Sequence, residues 1–170
     1  MLDPDIVKAL ASGLAAAVLT YFFAKRRYKF EKLYEKQLLH IEDVFEKVID
    51  LEDSLRKYIA TKGSMFGGDR LEEKKKEVQM LLNQLYALRS FFLKKEILFN
   101  QGSSEAIQNF IDASIRVLSN LVSSNFSEQL ADGKISYDQW YKAYEISEDE
   151  LKKAKEELRK NFREILENQS

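Results

Sequence analysis

Neither glycine nor proline falls between Leu14 and Ala60. Those two residues are the ones that break or kink a helix. Nothing in that stretch forces the chain to turn, so it is read as one rod. Its start is marked by Asp3 as a cap, Pro4 at the first helical position and Asp5 at the positive end of the helix dipole. The rod has two compositions. Ile6 to Ala24 is apolar, and from Lys25 on the chain is charged on one side and apolar on the other.

The apolar part suggests a membrane. Ala9 to Ala24 runs sixteen residues without a charge, and Ile6, Val7 and a snorkelling Lys8 extend it to nineteen. A spanning helix needs ~20 predominantly apolar residues. Tyr21, Phe22 and Phe23 at its end, followed by Lys25, Arg26, Arg27 and Lys29, match a membrane-interface belt with the positive-inside cluster behind it. The expectation is a single-pass protein of a bacterial inner membrane, with the N-terminus outside and the rest in the cytoplasm. Two readings compete: a secretory signal, which would put its positive charges before the apolar run, and a short core helix.

At ~100° per residue, Ala9, Ser12, Gly13, Ala16, Ala17, Thr20 and Ala24 share one half of this helix. Small residues let helix backbones approach closely in lipid. With one candidate span per chain, the partner helix has to come from another copy, so Ala9, Ser12, Gly13, Ala16, Ala17 and Thr20 are the expected oligomerisation residues. In such an assembly Lys8, Ser12 and Thr20 would line a pore. The competing reading is that this strip only packs, with Lys8 snorkelling to the headgroups.

Composition narrows the remaining classes. The chain has 170 residues, with 27 bases against 28 acids, so no global charge draws it to nucleic acid. There is no cysteine and one histidine, which removes disulfides and thiolate metal sites. Six glycines and one proline favour helix throughout.

Past the basic cluster, Tyr34, Leu38, Ile41, Phe45 and Val48 step by four and three, Leu55 resumes the stripe after Glu52, and Val44, Leu51 and Tyr58 widen it. Gly63, Gly67 and Gly68 place a loop over Thr61 to Arg70, with Asp69 and Glu72 as the capping box of a second helix. That helix carries Val78, Leu81, Leu82, Leu85, Leu88 and Phe92 inward and ends near Asn100, with Gly102 as its stop. The cluster Phe91 to Phe99 is expected to be buried on several sides. Ser103 or Ser104 would cap a third helix with Ile107, Phe110, Ile111, Ile115, Leu118, Leu121 and Val122 on its inner face. Gly133 reads as a break, Ser136 as the start of a short helix, and Ser147 with Glu150 as the capping box of the last one. The fold class expected is all-α: an N-terminal transmembrane helix, 1–27, continuing into a cytosolic four-helix up-down bundle, 28–170.

No catalytic constellation emerges. The paired carboxylates, such as Glu42 with Glu46, sit on charged helix faces. His40 has no second ligand at metal spacing, and the glycines after Gly63 match no phosphate loop. The most individual feature is Tyr137, Trp140, Tyr141 and Tyr144. It is read either as a stacking platform or as a short helix plugging the bundle, and helical spacing favours the plug.

The stretch Ala24 to Lys36 and the segment Val44 to Leu55 resemble small bacterial proteins in which one membrane helix runs on into a cytosolic helical domain. Among these are the membrane accessory proteins of type VI-B CRISPR loci. The resemblance implies ring-shaped membrane pores that support phage defence, and a soluble domain related to RNA-cleaving helical domains with an Arg-to-His motif four to six residues apart. Arg27 is the nearest arginine before His40, so no such motif exists here and no family residue is carried over. The function expected is therefore a non-enzymatic, homo-oligomeric pore-forming accessory effector. Its expected partners are the lipid bilayer, itself and a cytosolic defence protein, with no cofactor and no nucleic acid. The alternative is a non-conducting tether that recruits a cytosolic partner through its bundle.

Overall fold

The computed structural model describes the backbone of residues 4–63, 71–130 and 133–167, and the side chains of 19–61, 72–130 and 133–167. Every regular element is helical: α1 (Pro4–Gly63), α2 (Leu71–Lys95), a 3-10 turn (Glu96–Leu98), α3 (Gln101–Gln129), α4 (Gly133–Ile146), a π turn (Ser147–Leu151) and α5 (Lys152–Glu167). The chain divides into two units, Met1–His40 and Ile41–Ser170.

The expected membrane span is not supported. Among the described residues no helix is long and apolar enough to cross a membrane. Of the apolar stretch, the described side chains are those of Leu19 to Ala24, before Lys25, Arg26, Arg27 and Lys29 follow. The single-pass inner-membrane placement goes with the span. The side chains of Ile6 to Val18, and with them the roles expected of Lys8, Ala9, Ser12, Gly13, Ala16 and Ala17, lie outside the described residues. What the first unit does show is a helix whose Tyr21, Phe22, Phe23, Phe30 and Leu33 are all exposed. Its charges are steadied along the helix: Arg27 Nε donates to Glu31 Oε1 at 2.8 Å, and Lys32 Nζ sits 5.0 Å from the centre of the Tyr28 ring.

The second unit is the expected helical bundle. The last turns of α1, then α2, α3 and the rod formed by α4, the π turn and α5, alternate in direction. Antiparallel neighbours are marked by Lys74 with Glu128, Ser124 with Ser136, and Phe45 with Phe162. The predicted stripes are buried for the most part: Phe45 of α1 and Leu82 of α2 are half-buried, and Ile115 and Val122 of α3 are exposed, because Leu82, Ile115 and Val122 face an open recess between α2 and α3. Val44, Val48, Leu51 and Leu55 of α1 meet Leu85 and Leu88 of α2, Ile107, Phe110, Ile111 and Leu118 of α3, and Leu151 and Leu158 of the fourth rod. Each such side chain stabilises the fold by roughly 1.5–3 kcal/mol when fully buried. At one end Phe92, Phe99, Phe162 and Phe45 form a chain of rings with centroids 6.2–6.3 Å apart.

Three element boundaries differ from expectation. Asn100, not Ser103 or Ser104, caps α3: its side chain accepts from the Ser103 N–H at 2.8 Å. Gly102 is therefore not the stop of α2 but a residue of the first turn of α3, where a Cβ would come within 2.9 Å of Asn161 Oδ1 on α5. Ser147 caps nothing. The backbone at Ile146 and Lys152 is α-helical, so the fourth rod passes from α4 to α5 through the π turn without leaving helical geometry. Gly133 begins α4 rather than breaking the chain, and Ser136 is buried inside it. The cluster Phe91 to Phe99 is only half inside: Phe92 and Phe99 are buried, whereas Leu93 and Ile97 are exposed. The loop residues 64–70, with the proposed Asp69 cap, lie outside the described residues.

Candidate interaction surface

The site is built on how close α4 lies to α3. The buried residues of α4 are small, Ser136 and Ala143. Ser124 Oγ donates to the Ser136 carbonyl oxygen at 2.6 Å, and Ser136 Oγ donates to the Ser124 carbonyl oxygen at 2.9 Å. Each buried hydroxyl thus satisfies itself on the other helix's backbone, as a buried polar group must. Small residues on the inner face leave no room there for the aromatic residues, which fall on the outer one.

Tyr137, Trp140, Tyr141 and Tyr144 therefore do not plug the bundle as helical spacing suggests. They form a continuous edge. Tyr137 stacks on Tyr141 at 6.2 Å and Trp140 on Tyr144 at 6.1 Å, both with planes 19° apart. The three tyrosines are exposed at 49%, 43% and 43%. Trp140 is tied inward, its Nε1–H donating to the Ile59 carbonyl of α1 at 3.1 Å. Beside this edge a groove of about 530 Å³ runs between α1 and the fourth rod, lined by Arg56, Ile59, Ala60, Trp140, Tyr144, Ser147 and Glu148.

The charges at the groove form a fixed network. Glu52 is 2% exposed. Its Oε2 accepts from Lys155 Nζ at 2.6 Å and its Oε1 from Arg56 Nε at 3.2 Å. Arg56 also reaches Glu148 at 3.5 Å, within the π turn, and Glu150 of the same turn pairs with Arg116 of α3. The extra residue of a π turn re-aims the side chains around it; here the turn carries Glu148 toward α1 and Glu150 toward α3. A glutamate at an inner position of the α1 stripe is the sequence signal for this network: Glu52 interrupts the apolar series between Val48 and Leu55.

Two other recesses flank the bundle. One of about 240 Å³ lies between α1 and α2 beside Tyr58, Glu77 and Gln84. Burial pushes the Tyr58 hydroxyl up to about 12, with Glu77 and Glu128 adding to the rise and the hydrogen bond from Asn125 opposing it. Asn125 Nδ2 donates to the Tyr58 hydroxyl oxygen at 2.7 Å, linking α3 to α1. The other, about 410 Å³, lies between α2 and α3 over Leu85 and Leu118.

The residues singled out from sequence lie elsewhere. Thr20, Tyr21, Phe22, Phe23, Lys25, Arg26 and Arg27 are exposed on α1 in the first unit. His40 is half-buried at that unit's end, and among the described residues no cluster of His, Asp and Glu could hold a metal ion. No protein-family model, no curated protein and no solved structure matches the chain.

Proposed function

We propose that this protein is a non-catalytic helical scaffold that holds a protein partner along the aromatic edge of its bundle. The observation that carries this reading is the stack of half-exposed tyrosines on α4. Tyrosine offers a large, stiff, amphipathic contact surface at low entropic cost, which is why it is enriched where proteins meet. Trp140 and the reciprocal Ser124–Ser136 bonds hold the edge rigid before any partner arrives, so little ordering has to be met on binding. The groove beside it supplies a recess for an anchoring side chain. Its charged groups are engaged with one another, which suits a fixed polar rim rather than a reactive centre. The pore reading required a spanning segment and is not carried forward.

The test is a photo-crosslinking amino acid at Tyr141, with the same group at Asn120 on α3 as the control. Discrete protein adducts are expected from position 141 alone, and Tyr137→Ser with Tyr144→Ser should remove them. Equal labelling from both positions, or adducts indifferent to the serine substitutions, would refute the reading.

A further inference from the structure

Two exposed surfaces of the chain are matched in apolar character and opposite in charge. On α1, Phe22, Leu33, Leu19, Phe30 and Phe23 fall within about a third of the helix circumference at 3.6 residues per turn, and all five are exposed. Arg26 lies among them, and Lys25, Lys29 and Lys32 follow one margin. Over 19–33 there are five bases and one acid. On α4, Trp140, Tyr144, Tyr137 and Tyr141 follow one another around the helix, and Glu145 and Asp138 continue the same arc. Over 137–150 there are five acids and one base, the reverse balance. Glu148 and Glu150 are already paired within the bundle, whereas Asp138, Glu145 and Asp149 are exposed and in no ion pair among the described residues.

We propose that the basic aromatic segment of α1, Leu19 to Leu33, docks on the aromatic and acidic edge of α4 in a second copy of the chain. This rests on the reading of that edge as a partner surface and names the partner. The apolar arc of the segment covers the tyrosine rings, removing both from water. Arg26 and Lys29 then meet Asp138 and Glu145, and an arginine over a tyrosine face adds a cation–π contact. Two like segments cannot pair as well with each other, because each carries the same excess of positive charge. The two surfaces differ, so each copy can give one and receive the other. Such a head-to-tail contact closes into a ring or runs on as a filament.

The experiment is sedimentation of the full chain over a concentration series, with two charge-reversal variants. Arg26→Glu with Lys29→Glu makes the segment acidic, and Asp138→Lys with Glu145→Lys makes the edge basic. All four positions are exposed, and circular dichroism confirms the helical fold of each variant. The expected result is that the unmodified chain associates, that each variant alone associates tenfold or more weakly, and that an equal mixture of the two regains association because acidic segments now meet basic edges. A monomeric unmodified chain, loss in one variant only, or a mixture that stays apart would overturn the proposal. The crosslink at Tyr141 separates it from the reading it rests on. An adduct with a second copy supports both. An adduct with a different protein, on a chain that stays monomeric, overturns the self-docking alone. Absence of any specific adduct overturns both.

Discussion

Glu52 is the strongest test of how the bundle is held together. Its side chain is 3% exposed and is matched by Lys155 at 2.6 Å, with Arg56 at 3.2 Å on the other oxygen. Removing one partner of a buried pair costs ~3–5 kcal/mol because the remaining charge is left unpaired. In Lys155→Met, Arg56 still holds one oxygen, but its side chain is 39% exposed and such a partner offsets only ~0.2–1 kcal/mol. The expected loss is therefore ~2–4 kcal/mol, a large part of the ~5–15 kcal/mol typical of a domain. Removing the carboxylate as well reverses most of it. Glu52→Leu with Lys155→Met replaces the pair by apolar groups of similar size, and such swaps are often neutral or stabilising. Urea unfolding followed by circular dichroism measures both, and an unchanged slope shows that only stability has moved. The reasoning fails if Lys155→Met costs under ~0.5 kcal/mol, the range of ordinary surface changes. It also fails if the double variant is less stable than Lys155→Met alone.

Tyr58 makes the fold sensitive to alkali. Its hydroxyl is raised to about 12 in the folded chain from an ordinary 10.0, so the unfolded chain loses its proton first. The stabilisation is whole below pH ~10 and fades as the pH rises through the folded value. Tyr58→Phe should be less stable near neutrality, since Asn125 loses its partner, yet should lose less stability than the parent between about pH 10 and 12; parallel urea titrations of the two proteins check this. Gly102→Ala brings a methyl group within 2.9 Å of Asn161 Oδ1, the end of a movable side chain. With Asn161→Ala added to clear the space, the variant should gain up to ~1 kcal/mol from helix propensity, read as a higher melting temperature; a double variant less stable than the parent would show that the close approach itself matters.

Much of the bundle was legible in the residues. The stripes Val44 to Leu55, Val78 to Phe92, Ile107 to Val122 and Leu151 to Ile165 recur at helical spacing, and the structure buries most of their members, though it leaves Ile115 and Val122 exposed. Glu52 was visible as a charge inside a stripe, but its partner lies 103 residues further along the chain, and no spacing rule links them. Boundaries were read less well where a residue type serves two purposes. Gly102 looked like a helix stop because glycine usually ends helices, yet here it admits the Asn161 side chain of a crossing helix. Ser147 and Glu150 have capping-box spacing, but the turn they occupy is π-helical and Glu150 reaches across to Arg116.

By itself, then, the sequence determined an all-helical chain, which faces of α2, α3 and α5 turn inward, and the unbroken course of α1. Those follow from local preference and periodicity, which each segment carries within itself. The apolar run after Ile6 pointed to a membrane, but apolarity states only that side chains avoid water, and no described helix is long and apolar enough to span a bilayer. The aromatic edge of α4 was decided by tertiary structure. Four aromatic residues at helical spacing suit a core or a surface equally. What put the tyrosines outside was the pair of small residues, Ser136 and Ala143, on the face that α3 approaches. Two helices at that distance leave room for a hydroxyl or a methyl group and none for a ring, so the rings were left to solvent.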